Sequence, residues 1–224
     1  MSQVELKKIL IDNIKKNDFS TIAKYLFFNT YINVNEKSYR LAEIEFYVKT
    51  DYHIDVFTHC HNQQKEMLTW YFHQMSGKEH SYKGGTFKGL DITCGFNNGF
   101  CGILIRSVVD PLNKVIEGPC NVVNEFLKQL QCDSIKQFIT EKLDNLLCFD
   151  LDNKNNNLLT IKFHKYVETD IYVAPRIGLT LKGNNIEEKK DFILKNYRFI
   201  IFKDKIKKEK KKMNKLINPK EQSS

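Results

Sequence analysis

RLAEIEFYVK (residues 40–49) alternates strictly, with Leu41, Glu43, Glu45 and Tyr47 falling on one face and Ala42, Ile44, Phe46 and Val48 on the other. The pattern predicts a strand with one apolar face for the core. The opposite face carries two carboxylates and a phenol, which leaves two readings. Either Glu43, Glu45 and Tyr47 form the wet side of a half-buried strand, or they line a site, with a carboxylate at a pocket edge and an aromatic ring one repeat away to stack on a flat ligand. Spacing alone does not choose between them.

Working outward, GFCGILIRSVVD (99–110) predicts a second strand that ends before Pro111 and carries Arg106 inside an otherwise apolar run. A guanidinium there is costly to bury unless it meets a carboxylate or lines a polar cavity. Glu45 is a candidate partner, and such a pair would fix the carboxylate in place; an edge-strand arginine reaching water is the alternative.

Residues 3–16 and 18–28 carry apolar positions at helical spacing, with Asp18 and Ser20 as caps for the second helix. Helices are also expected after Pro119 (NVVNEFLKQL) and after Asp133 (SIKQFITEKLDNLL). DLDNKNNN (150–157) reads as a polar loop, and LLTIKFHKYV, DIYVAPRIGLTL and NYRFIIF as three further strands. Together these give an α+β fold: a single domain over 1–203, with a curved, mostly antiparallel and barrel-like sheet flanked by helices, followed by a flexible lysine-rich tail over 204–224.

At 224 residues the chain is long enough for one substantial core and short for two. The start, MSQVELKKILIDNIKKND, reads as a charged amphipathic helix and not as a signal peptide, and no run of eighteen apolar residues occurs. A soluble, intracellular protein of the nucleus or cytoplasm, without a membrane partner, is the expectation. Six scattered cysteines without a CxxC pair suit reduced thiols better than a disulfide framework. No P-loop or dinucleotide fingerprint is present. The net charge of +8 is concentrated between Lys203 and Lys220, where nine lysines face Asp204 and Glu209, so the rest of the chain is nearly neutral. Charge by itself therefore does not indicate nucleic-acid binding.

RLAEIEFY, LDIT, LIRSVVDP, EGPCNVV, APRIGL and NYRF follow the order and rough spacing of the motifs of the alkyladenine (3-methyladenine) DNA glycosylase family, over about residues 18–203. The chain resembles that family. The resemblance implies its fold, which is also formyltransferase C-terminal-like. It further implies a monofunctional hydrolase that excises alkylated or deaminated purines from DNA in base excision repair, acting as a monomer and without metal or organic cofactor. Glu45 would be the base that deprotonates the attacking water, Tyr47 would stack on the flipped-out base, and Arg106 would hold the water beside a histidine. His59 is the closest match for that histidine and His61 the reserve. Asp91 stands where the family has an asparagine that contacts the base or pocket. Gly118 and Pro119 match a helix opening, and Pro175, Arg176 and Gly178 match a strand motif.

The chain departs from the family between the histidine and LDIT, where HNQQKEMLTWYFHQMSGKEHSYKGGTFKG replaces an Arg- and Gly-rich segment that supplies a second stacking tyrosine and a minor-groove wedge. Tyr82 is the candidate for one of these, while Tyr71 and Phe72 read equally well as core. Asp91 would place an extra negative charge toward DNA. His53, His59, Cys60, His61, His73 and His80 cluster in sequence, but no zinc-ligand spacing fits them. Two alternatives stay open: a glycosylase-fold protein that binds nucleic acid without cleaving it, and an N-glycosidic hydrolase acting on a smaller or non-duplex substrate.

Overall fold

A computed structural model of the chain describes residues 1–149 and 158–216. The polar loop expected over 150–157 lies outside the described residues, as do residues 217–224. The fold opens with α1 (Gln3–Ile14), where Ser2 accepts the Glu5 N–H as an N-cap and Leu6, Leu10 and Ile14 recur every fourth residue on the buried side. In α2 (Phe19–Asn29) the cap is Asp18, which accepts from the Thr21 N–H; Ser20 is a donor to Asp18 and not itself a cap.

β1 (Thr30–Val34), β2 (Lys37–Thr50), β3 (His53–Ile54), β4 (Met67–Phe72), β5 (Leu90–Cys94), β6 (Phe100–Val109) and β7 (Val115–Glu117) follow. Next come α3 (Pro119–Gln129), the short α4 (Ile135–Gln137), β8 (Leu159–Phe163), β9 (Tyr172–Ala174), α5 (Ile186–Ile193), β10 (Arg198–Ile200) and β11 (Asn214–Lys215). Every strand pairing is antiparallel. The central order is β11-β9-β10-β2-β6-β5-β4, and β8 joins through β1 to β2. The α+β class and the antiparallel sheet match the sequence reading, while the ladder of strands stays open instead of closing into a barrel. Between β4 and β8 the connection is made by a short irregular segment: Leu146 and Cys148 hydrogen-bond Trp70 and Leu68 on one side, and Cys148 accepts from the Ile161 N–H on the other.

That segment explains one correction. The helix expected after Asp133 ends early, with α4 passing into a single wide turn over Phe138–Lys142. The backbone of 146–148 is then extended, because β4 and β8 supply the partners that its N–H and C=O groups need when buried.

Two further expectations change. Cys94 and Cys101 form a disulfide between β5 and β6, so these two thiols are not free; Cys60, Cys120, Cys132 and Cys148 are. The lysine-rich segment does not leave the body at residue 203. Ile206 and Met213 are buried, Lys207 and Lys208 donate backbone N–H to Glu117, Lys208 accepts from Arg198, and β11 pairs with β9. Residues 204–216 are folded, with their lysine side chains exposed and the backbone fixed. Among the described residues no helix is long and apolar enough to cross a membrane.

Candidate active site

The apolar face of β2 meets the helices as expected: Ala42, Ile44, Phe46 and Val48 are core residues. The polar face is equally buried, with Glu43 at 1% and Glu45 at 0% exposure. It is therefore not the wet side of the strand. What makes its burial tolerable is a layer of cations and donors set across it.

Arg106 reaches both glutamates. Its Nε lies 3.2 Å from Glu43 Oε1 and its Nη1 3.3 Å from Glu45 Oε2. The register shifts between β2 and β6 on either side of Glu43, so that Glu43 faces Ser107 and Ile44 faces Ile105, leaving Arg106 without an opposite residue. This bulge lets one guanidinium serve two carboxylates. Glu43 also accepts from Ser107 Oγ and from Arg198 Nε, both at 2.5 Å. It is held as the anchor of the layer.

Glu45 has a different set of partners. Oε1 accepts the Ile177 N–H at 2.8 Å, and Oε2 accepts the Tyr47 hydroxyl at 2.8 Å beside Arg106. Burial holds the Glu45 carboxyl above its ordinary value; Arg106, the Ile177 N–H and the Tyr47 hydroxyl pull the other way without overcoming it. Burial and the adjacent Glu45 push the Tyr47 phenol well up, which keeps it a neutral donor.

The turn that brings Ile177 to Glu45 is fixed by its neighbour. Arg176 is buried, makes a two-pronged pair with Asp55, donates to the Phe46 carbonyl at 2.9 Å, and stacks 4.5 Å from the Tyr47 ring centre. Sequence matching picks out Arg176; nothing in the spacing reveals Asp55 as its partner.

Tyr47, Arg106 and Ile177 open onto a cleft of about 520 Å³, in the range of small-ligand pockets. Leu104, Pro119, Gly178, His59, His73, Asp91, Lys83 and Phe87 complete much of its wall and mouth. Glu45 itself sits directly behind the lining. Phe87 lines this cleft with its ring 75% exposed.

The structure brings some of the expected residues here and moves others. His59 is in the cleft, but it contacts Lys83 through Nε2 at 2.8 Å and the Tyr71 hydroxyl through Nδ1 at 3.3 Å, and not Glu45 or Arg106. Partial burial, then His73 and Lys83, push its imidazole down to about 4. His61 is not at the cleft: its Nδ1 caps the turn over Asn62–Lys65 and its ring stacks on Tyr71. Tyr82 lies on an adjacent groove with Lys136, its ring half-packed on the core, so it is not a second platform beside Tyr47. Tyr71 and Phe72 are core residues of β4.

Asp91 does line the cleft, yet its charge is turned into the wall. Oδ1 is 2.7 Å from His73 Nε2, and Oδ2 accepts from Gln64 Nε2 at 3.2 Å. The extra negative charge expected toward a ligand is thus already partnered. Two glycines make room for this group. A Cβ at Gly102 would lie 2.5 Å from Asp91 Oδ2, and one at Gly89 would lie 2.6 Å from His73 Nδ1. The sequence places His73 only in the histidine–cysteine cluster, and nothing in it marks Gln64. The available signal is the continuation of β4's alternation, which sets His73 two residues beyond Tyr71.

No protein-family model matches the chain. It is 36% identical over 219 residues to Uncharacterized protein L759 of Acanthamoeba polyphaga mimivirus, an alignment that covers 91% of this chain and 95% of that protein.

Proposed function

We propose that this chain, which belongs to the family of that mimivirus protein, has the alkyladenine DNA glycosylase fold and hydrolyses the N-glycosidic bond of damaged purines in DNA. The observation that carries the reading is the setting of Glu45. It is a buried carboxylate, raised above its ordinary value and fixed by Arg106, Tyr47 and the Ile177 N–H directly behind the lining of a cleft whose volume suits a small ligand.

In this reading the target nucleotide leaves the duplex and enters the cleft. Tyr47, backed by Arg176, offers its ring to the base, and stacking of this kind is worth roughly 1–3 kcal/mol. Glu45 takes a proton from water as the water oxygen attacks the anomeric carbon. Its negative charge also stabilises the positive charge that builds on the sugar as the bond to the base breaks. Phe87 at the mouth takes the part of the missing wedge, and Lys83 and Lys88 present cations to phosphates.

One observation favours a second reading, a glycosylase-fold protein that binds nucleic acid without cleaving it: all of Glu45 is buried and three donors already engage it. The test is incubation with duplex and single-stranded oligonucleotides carrying alkylated or deaminated purines, followed by detection of abasic sites. The first reading expects abasic product from at least one lesion. Binding without product selects the second, and neither binding nor product on DNA directs attention to a smaller N-glycoside.

A further inference from the structure

We propose that the groove beside the cleft, between Tyr82 and Lys136, takes the base next to the target nucleotide, so that the preferred substrate is a lesion in an unpaired strand: a single strand, a loop or a displaced strand. The inference rests on the glycosylase reading and narrows its substrate. One wall of the groove, from His80 to Lys88, belongs to the segment in which this chain departs from the family it resembles.

The groove has a volume of about 400 Å³ beside about 520 Å³ for the cleft, and Lys83 and Lys88 line both. These two lysines stand between the compartments and are fixed there. The Lys83 N–H donates to the His73 carbonyl at 2.8 Å and its ammonium lies 2.8 Å from His59 Nε2, while Lys88 Nζ donates to Asn124 Oδ1 at 2.8 Å. Lys136 of α4 stands exposed on the facing wall, and Asp133 is the one acid in the lining. Among the described residues no carboxylate pairs with Lys83, Lys88 or Lys136. Unspent positive charge at a boundary between two compartments suits a phosphodiester that joins their contents.

Tyr82 supplies the platform. Its ring packs on the core and also lines the groove. Its backbone bridges to Gln74 across a hairpin, where the Met75 N–H donates to the Ser81 carbonyl at 2.8 Å and the His80 N–H to Gln74 Oε1 at 2.7 Å. A ring fixed in advance loses little freedom when a base stacks on it.

A phosphodiester on Lys83 and Lys88 links two nucleosides, one entering the cleft over Tyr47 and the other entering the groove over Tyr82. In a duplex the neighbouring base is paired and stacked, and it reaches the groove only after a second unpairing. In an unpaired strand no such step stands in the way. Stacking on an aromatic ring tolerates every base, since each has a π-face. The groove therefore selects the state of the strand and not the identity of the neighbour.

Fluorescence anisotropy compares binding of an oligonucleotide carrying hypoxanthine or 7-methylguanine, as a single strand and as a duplex, with single strands that lack the base of the 5′ or the 3′ neighbour. The parent is expected to bind the single strand more tightly than the duplex. Removing the neighbour's base on one of the two sides should weaken single-strand binding by about 5–150-fold, the range for base–aromatic stacking. Tyr82→Leu, which keeps the core side of the position filled, should weaken binding of the intact single strand similarly and leave the duplex unchanged. It should add no further loss when that base is already missing. If Tyr82→Leu does not fold, Lys136→Gln at its exposed position provides the protein-side test: the dependence of log affinity on log salt should fall by about 0.7 on the single strand alone. Tighter binding of the duplex, indifference to the base of either neighbour, or equal weakening of both forms by Tyr82→Leu overturns the groove while leaving the glycosylase reading in place. Binding of neither form, with no abasic product from any lesion, overturns both.

Discussion

Glu45 and Asp91 stand in one cross-strand row, each paired directly with Leu104 of β6. The two buried carboxylates approach the same cleft from either side of a single leucine, one behind Tyr47, Arg106 and Ile177, the other behind His73. A row of this kind can hold a sugar at one end and a base at the other, and the rigid sheet fixes the separation.

The Arg176–Asp55 pair is the support of the Glu45 end. Asp55→Asn keeps the size of the side chain but leaves a buried guanidinium without its counter-charge, and breaking a buried pair in this way costs about 3–5 kcal/mol. Chemical denaturation should show that loss. A change below about 1 kcal/mol would mean that Phe46 and the surrounding rings hold Arg176 without Asp55.

At the other end the sensitive position is Gly102. Gly102→Ala would push a methyl group into Asp91 and Gln64, and overpacking at a filled site costs roughly 1–3 kcal/mol. Gly84→Ala, with nothing within 4 Å of the new Cβ, is the control and should be close to neutral. Thermal unfolding of the two variants side by side checks the difference; equal melting temperatures would contradict the close approach at Gly102.

The folded lysine segment gives a prediction about salt. Lys205, Lys207, Lys208 and Lys211 are exposed on a backbone anchored by Ile206, Met213 and Glu117. If DNA is the partner, replacing all four by Gln should weaken binding and flatten the dependence of log affinity on log salt by about 0.9 for each phosphate that is no longer neutralised. Titration by fluorescence anisotropy at several salt concentrations reads the slope, and an unchanged slope would remove these lysines from the interface.

The raised carboxyl of Glu45 sets a pH signature. A general base must be ionised, so base release should rise with pH through a midpoint above the ordinary glutamate value of about 4.3. The stability sign is the reverse. A carboxyl raised in the folded state contributes stability below its unfolded value and loses it as pH rises through the folded one. An acid limb at or below the ordinary value, measured in single turnovers with DNA saturating, would contradict the burial of Glu45 as the controlling influence.

Much of this site is legible in local pattern, and the remainder is not, for identifiable reasons. The alternation of 40–49 identifies β2 and its odd face, and the arginine inside 99–110 identifies the need for an acid partner. That Arg106 serves Glu43 as well as Glu45 depends on a bulge, which leaves no mark in an alternating sequence. His73, Gln64 and Asp55 are joined to Asp91 and Arg176 across separations of 18, 27 and 121 residues, beyond the reach of any periodicity. The early end of the helix after Asp133 has the same origin, since strands distant in sequence claim the backbone of 146–148. The folding of 204–216 is carried by two apolar residues among lysines, Ile206 and Met213, a signal that charge counting hides.

Glu45, and not Glu43, is the group assigned to activate water, and the direct measurement is the single-turnover rate of base release by Glu45→Gln. Glutamine keeps the shape, and its single carbonyl oxygen can accept the Ile177 N–H with the NH2 turned toward the Tyr47 hydroxyl oxygen, but it cannot take the proton from water or balance the charge on the sugar. Release from a lesion cleaved by the parent is expected to fall by about 10³-fold or more, about 4 kcal/mol in barrier, while the circular dichroism spectrum and lesion binding are retained. Release by Glu45→Gln at the parent's rate would contradict the assignment.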